Sequence, residues 1–112
     1  MDAVSAQRML RLVGLGVRSR GVVVGVEQVR TAVKKGKVAL AIVAQDGSEN
    51  SLAKVVPLLE ARRVEIVRAP SAAELGRAVG REQTVAVGVT DSQLARGIRE
   101  SLESPAALDQ RR

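Results

Sequence analysis

The sequence predicts a single α/β domain, a three-layer α/β/α sandwich around a mainly parallel (mixed) four-stranded sheet. Short β-branched or apolar runs alternate with longer stretches of helical periodicity, the pattern of strands joined by helical crossovers. Val38 to Ala44 is apolar without alternation, as expected of a strand covered on both faces. A chain of 112 residues is long enough for one core and too short for two.

From the N-terminus, Met9, Leu12, Val13, Gly16 and Val17 recur at three-and-four spacing with Arg8, Arg11 and Arg18 off the stripe, so Ser5 to Val17 is an amphipathic helix. Val22 to Val24 is a short strand. A helix follows, with Val26, Val29 and Val33 on its inner stripe and Gly36 as its stop. After the strand Val38 to Ala44, Asp46-Gly47-Ser48 offers a turn and an N-cap. Leu52, Val55, Val56 and Leu59 mark a helix over 49–63, in which Pro57 removes a donor and should kink the helix or start a new one.

Val64 to Val67 is the next strand, and Ala69-Pro70-Ser71 ends it. Ser71 and Glu74 form a capping box for a helix over Ala72 to Val79, closed by Gly80. Thr84 to Val89 is the last strand, and Asp91 or Ser92 opens a final helix through Leu102. The domain spans residues 1–103, and Ser104-Pro105 releases a flexible C-terminal tail over 104–112.

Composition narrows the function. With 46% hydrophobic and 27% charged residues the chain should fold, but it has no Phe, Tyr or Trp. A platform that stacks bases on aromatic rings cannot be built from it. Cysteine and histidine are also missing, which removes disulfides, thiolate and imidazole metal ligands, and the commonest nucleophiles and general base. No metal site, cofactor or catalytic residue is expected, and the chain reads as a non-enzyme. No long apolar run or signal-like segment occurs, so a cytoplasmic location without a membrane partner is expected. The 18 Lys and Arg against 12 Asp and Glu give a net charge of +6, which points to a polyanion, nucleic acid first.

Gly14, Gly16 and Gly21 do not form a dinucleotide fingerprint: the third glycine would stand at position 19, which is Ser19, and a helix precedes them instead of a strand. Gly14 and Gly16 are read as close-packing positions of the first helix. Asp46, Glu49, Glu74 and Asp91 stand at predicted helix starts, where capping explains them without acid/base chemistry.

The stretch Gly25 to Lys37 is the most informative. With Val26, Val29 and Val33 inward, Glu27, Arg30, Thr31 and Lys34 share the outer face, and the first-turn amides beside Gly25 can meet an anion. Glu27 and Gln28 can read base edges, while Arg30, Lys34, Lys35 and Lys37 can meet phosphates. The alternative is a solvated helix face of mixed charge.

Over about residues 7 to 102 the chain resembles the kink-turn-binding ribosomal proteins of the large subunit, the L-seven-Ae and L-thirty-e family, and within it the bacterial YlxQ-like members. The pieces that carry the resemblance are Gly25 to Gly36, Leu40 to Ala44 running into Asp46, Pro57-Leu58-Leu59-Glu60, and Ala69 to Gly80, in that order and spacing. The resemblance implies a sandwich that grips a bent RNA internal loop with the N-terminus of its second helix and with a later loop. Where the family has Gly-x-Asn-Glu-x-x-Lys, this chain has Glu27, Gln28 and Thr31 at the three polar positions. The later loop corresponds to Gly80-Arg81-Glu82-Gln83-Thr84, with Gly80, Arg81 and Gln83 as contact candidates.

The expected function is therefore non-catalytic binding of a kink-turn-type structured RNA, ribosomal or other, by a monomer, with the ribosome as a candidate setting. The alternative is a protein-interaction or ribosome-assembly adaptor on the same fold that has lost kink-turn readout. A remnant of the substrate-recognition domain of an RNA-modifying enzyme is a third possibility, disfavoured because the sequence holds no catalytic domain.

Overall fold

A computed structural model describes residues 2–102. The expected tail over 104–112 lies outside them. The elements run in the order α1 (Ala3–Arg18), β1 (Val22–Val24), α2 (Val26–Lys34), β2 (Leu40–Ala44), α3 (Glu49–Ala61), β3 (Glu65–Ala69), α4 (Ala72–Ala78), β4 (Ala86–Val89) and α5 (Ser92–Ser101). Helices and strands alternate as the periodicity predicts.

The four strands form one sheet in the order β1-β4-β2-β3. β2 and β3 pair parallel, whereas β4 pairs antiparallel with both β1 and β2. The sheet is mixed, as expected, but "mainly parallel" holds only for strand direction. β1, β2 and β3 point one way, yet β4 lies between β1 and β2, so two of the three pairings are antiparallel. Element order along the chain does not show that the last strand is inserted at the centre.

Side-chain alternation along the strands sorts the core into two layers. Leu40, Ile42, Val67, Val87 and Val89 pack with Met9 and Val13 of α1, Leu75 of α4 and Ile98 of α5. Ala41, Val43 and Ala86 pack on the opposite face with Val29 and Val33 of α2 and Val55 and Leu59 of α3. Both central strands are covered on both faces, which is why Leu40 to Ala44 is uniformly apolar. Without aromatics, the core is filled by many small branched side chains, each contributing about 1.5–3 kcal/mol on full burial.

Local chemistry sets the helix ends. Asp2 Oδ1 accepts the Ser5 amide at 2.7 Å and opens α1, and this backbone bond holds the Asp2 carboxyl below its ordinary range. Ser48 caps α3, and Asp91 accepts from Gln93 and Leu94 to cap α5. Asp46 acts elsewhere than expected: its Oδ1 accepts the Ala72 amide at 2.7 Å, so it caps α4 and not the helix that follows it in sequence. The Ser71–Glu74 pair also departs from the reciprocal pattern. Ser71 Oγ accepts the Glu74 amide at 3.1 Å, but the Glu74 carboxylate takes the Ser71 hydroxyl at 3.2 Å, not a backbone amide.

Pro57 lies inside α3, which continues through it to Ala61, so no new helix starts there. The carbonyl that loses its partner belongs to Ala53, four residues earlier, and both residues are exposed, where water can satisfy it. Gly14 meets the close-packing expectation: a Cβ there would lie 2.8 Å from the Ala78 carbonyl oxygen, so α1 and α4 cross at near-backbone contact.

Candidate nucleic-acid interface

Because β1, β2 and β3 share a direction, the chain leaves all three at the same end of the sheet, and α2, α3 and α4 all begin there. β4 runs the opposite way and begins at that end. The pairing of Val24 with Val87 therefore brings the start of α2 beside the loop that leads into β4. The Gly25 amide donates to the Ala86 carbonyl at 2.9 Å and joins the two segments.

Gly25 is the N-cap of α2 with φ 98 and ψ 151, a backbone conformation open essentially to glycine alone. It supplies no side-chain cap, so the first-turn amides of α2 keep the partial positive charge of a helix start. A Cβ at Gly25 would meet nothing within 4 Å: the space above it is open.

Facing this opening is a shallow cavity of about 450 Å³ lined by Val24, Gly25, Val26, Glu27, Gln28, Ser51, Lys54 and Arg81. Residues from three separate stretches meet there. Gly25, Glu27 and Gln28 come from the predicted helix tip, Arg81 from the predicted loop, and Ser51 and Lys54 from α3. Sequence reasoning did not single out the last two. Lys54 reads as one polar residue on an amphipathic helix, and only the shared direction of β1 and β2, which sets α3 beside α2, brings it to this opening.

The loop is held by backbone contacts. The Arg81 amide donates to the Gly76 carbonyl at 2.8 Å and the Thr84 amide to the Ala72 carbonyl at 3.0 Å, so residues 80–84 fold back along α4. Gly76 permits this return, because a Cβ there would collide with the backbone of Gln83. Gly80 turns the chain with φ 78. Arg81 reaches the cavity, while Gln83 is exposed but does not line it.

The rest of the predicted helix face is divided. Arg30 donates from Nη1 to the Lys54 carbonyl and stands 3.9 Å from Glu27, so it ties α2 to α3. Thr31 donates its hydroxyl to the Glu27 carbonyl at 3.0 Å. Lys34 and Lys35 are exposed at the far end of α2, roughly 14–15 Å from Gly25 by the helix rise. The structure does not gather them with the tip. Among the described residues no group of acidic side chains is placed to hold a metal ion, and no helix is long and apolar enough to cross a membrane.

Fold and site together define a small three-layer sandwich with a cation-lined helix tip closed on one side by a glycine-dependent loop. The chain belongs to the ribosomal protein L7Ae/L30e/S12e/Gadd45 family, whose model matches residues 7–99. It is similar to the RNA-binding protein YlxQ of Bacillus subtilis (strain 168), 33% identical over 91 residues that cover 81% of this chain and 91% of that protein. It is also similar to the RNA-binding protein YlxQ of Enterococcus faecium, at 27% identity over 92% of this chain and 99% of that one.

Among solved structures, a protein of unknown function from Bacillus halodurans superposes with a TM-score of 0.78 at 29% identity, covering 87% of this chain and 98% of the other. The Giardia lamblia 15.5kD RNA binding protein gives the same TM-score, 0.78, at 22% identity, covering 96% and 92%, a likeness of fold. The family and the named relatives are described as ribosomal and RNA-binding proteins, not as enzymes, in agreement with the non-catalytic reading.

Proposed function

We infer that this chain is a non-catalytic RNA-binding protein that grips a bent, kink-turn-type structured RNA at the tip of α2. The observation that carries the reading is the meeting of Gly25, Gln28, Lys54 and Arg81 around one open cavity at the helix start, where no side chain caps the first-turn amides. A phosphate seated over Gly25 gains the helix-start amides and two cations at once. Gln28 both donates and accepts, and the Glu27 carboxylate accepts from base amino groups, so the rim of the cavity discriminates bases where the amides do not. Gly80 and Gln83 shape and flank the loop that presents Arg81. Lys34 and Lys35 add a sequence-independent contact further along the RNA. The names of the relatives support RNA as the partner. In this reading the protein acts as a cytoplasmic monomer, needs no cofactor and works at or near the ribosome.

A second reading, a protein-interaction or ribosome-assembly adaptor without kink-turn readout, is favoured by one observation. Arg30 and Thr31 spend their side chains within the protein, on Lys54 and Glu27. Titration of a labelled kink-turn RNA and a plain duplex at several salt concentrations separates the two. RNA recognition predicts tighter binding of the kinked RNA at every salt concentration, whereas equal binding governed by salt alone leaves only the adaptor reading.

A further inference from the structure

A second cationic surface lies on the opposite helical layer. α1 and α4 cross closely at Gly14, and beside the crossing lies a groove of about 490 Å³, lined by Arg11, Leu15, Arg18, Arg77 and Gly80 among others. A shallower hollow continues from it past Arg11 and Arg77 toward Gln7 and Glu74. Three arginines from two helices thus line one concavity.

None of the three is spent elsewhere. Among the described residues the ion pairs are Arg30 with Glu27 and Arg99 with Glu65, and the side chains of Arg11, Arg18 and Arg77 donate no hydrogen bond. The one carboxylate at the edge, Glu74, accepts the Ser71 hydroxyl. All three are solvent-exposed, so a ligand's anionic groups can reach them directly. The groove and the α2 tip meet at one loop: Gly80 lines the groove, and the next residue, Arg81, lines the tip cavity.

We propose that the α1/α4 groove is a second RNA-contact surface, in which Arg11, Arg18 and Arg77 hold the phosphate backbone of the strand leaving the α2 tip. The proposal rests on reading that tip as an RNA site. Guanidinium suits the role because its planar fork meets phosphate oxygens in pairs, and three residues on two rigid helices can follow successive phosphates. Leu15, 52% exposed, together with Val17, Ala78 and Val79 in the lining, would suit a protein partner instead. Arginine is also common at protein interfaces, but here three arginines line the groove with no carboxylate among its lining residues, a one-signed charge that matches a polyanion better than a mixed protein surface. Charge decides for RNA.

The test uses the full chain and a labelled bent internal-loop RNA with both flanking stems, titrated over a salt series. Arg11→Gln/Arg77→Gln is compared with Arg68→Gln/Arg96→Gln, which removes the same charge from exposed positions on β3 and α5, and urea midpoints check that each pair folds. The groove pair is expected to flatten the plot of log affinity against log salt by about 1.4 to 1.8, since each neutralised phosphate contributes about 0.7–0.9, while the control pair leaves it unchanged. Equal flattening by both pairs overturns the proposal, because net charge then explains everything. A groove pair that binds as the parent also overturns it and leaves the groove to a protein partner. Lys54→Gln/Arg81→Gln keeps the two sites distinguishable: loss there with an indifferent groove pair refutes the groove alone, and loss in the groove pair with an indifferent tip pair refutes the tip alone.

Discussion

The two ends of α2 are both basic, but for different reasons. Its C-terminal end carries its own cations, Lys34, Lys35 and Lys37, on consecutive or near-consecutive exposed positions around Gly36. Its N-terminal end carries a carboxylate, Glu27, and receives its cations from elsewhere: Lys54 from α3 and Arg81 from the loop before β4. The lysine end is a convex display of charge that any polyanion can approach. The tip is a concave meeting of three chain segments with uncapped amides at the helix start, and a ligand must fit it. Charge density along the sequence therefore marks the end of the helix that is not part of the cavity.

The largest effect should come from filling the one position that lets the loop reach the tip. Gly76→Ala pushes a methyl into the backbone of Gln83 and is expected to cost about 2–3 kcal/mol in urea unfolding. It should also displace Arg81, so that affinity for kinked RNA falls while the contribution of the lysine end persists. Next come the glycines that bound the helix. Gly25→Ala must hold φ 98 with ψ 151 and should cost about 2 kcal/mol and weaken RNA binding. Gly36→Ala at φ 70 lies in the milder left-handed region and should cost about 1 kcal/mol with no selective effect on binding. If the two alanine variants prove equal in both respects, the contrast between the ends fails.

Side-chain truncation sharpens it further. Gln28→Ala should lower affinity for the kinked RNA by about tenfold and leave the duplex unaffected, the loss of one good hydrogen bond. Lys34→Ala/Lys35→Ala should weaken kinked and duplex RNA alike and flatten the salt dependence by about 1 to 2. Indifference to both would remove α2 as the site. The smallest effect concerns α1, whose start, unlike either end of α2, is held by a titrating side chain. The Asp2 carboxyl is lowered by the bond it accepts from the Ser5 amide, so its support of α1 is complete above the ordinary aspartate range and is lost as pH falls through the lowered value. Melting temperatures of the parent and Asp2→Asn should differ at neutral pH and converge in acid.

Local features were legible in the sequence because local forces decide them. The valine stripe of α2, the cap at Ser48 and the uniform apolarity of β2 each follow from neighbours within a few residues. Strand ends drifted by a residue or two: β3 runs on to Ala69 because Gln45 donates to its carbonyl. What depends on sheet order was not legible. Asp46 caps α4 instead of α3 because the parallel β2–β3 pair sets the chain leaving β2 beside the start of α4, 26 residues later. Lys54 belongs to the candidate site for a related reason. Of the residues expected there, Gly25, Glu27, Gln28 and Arg81 converge, whereas Arg30 and Thr31 bond the Lys54 and Glu27 carbonyls and Lys34 and Lys35 stand apart.

The central position of β4 also has a temporal consequence. β1 pairs with β4 and with no other strand, and the Gly25 amide finds its acceptor on Ala86. During synthesis from the N-terminus, β2, α3 and β3 can associate early, but β1 has nothing to pair with until residues 86–89 have left the ribosome. The tip of α2 is therefore among the last features to take shape, and a nascent chain halted before Ala86 should show amides of Val22 to Val24 exchanging with solvent as if unfolded.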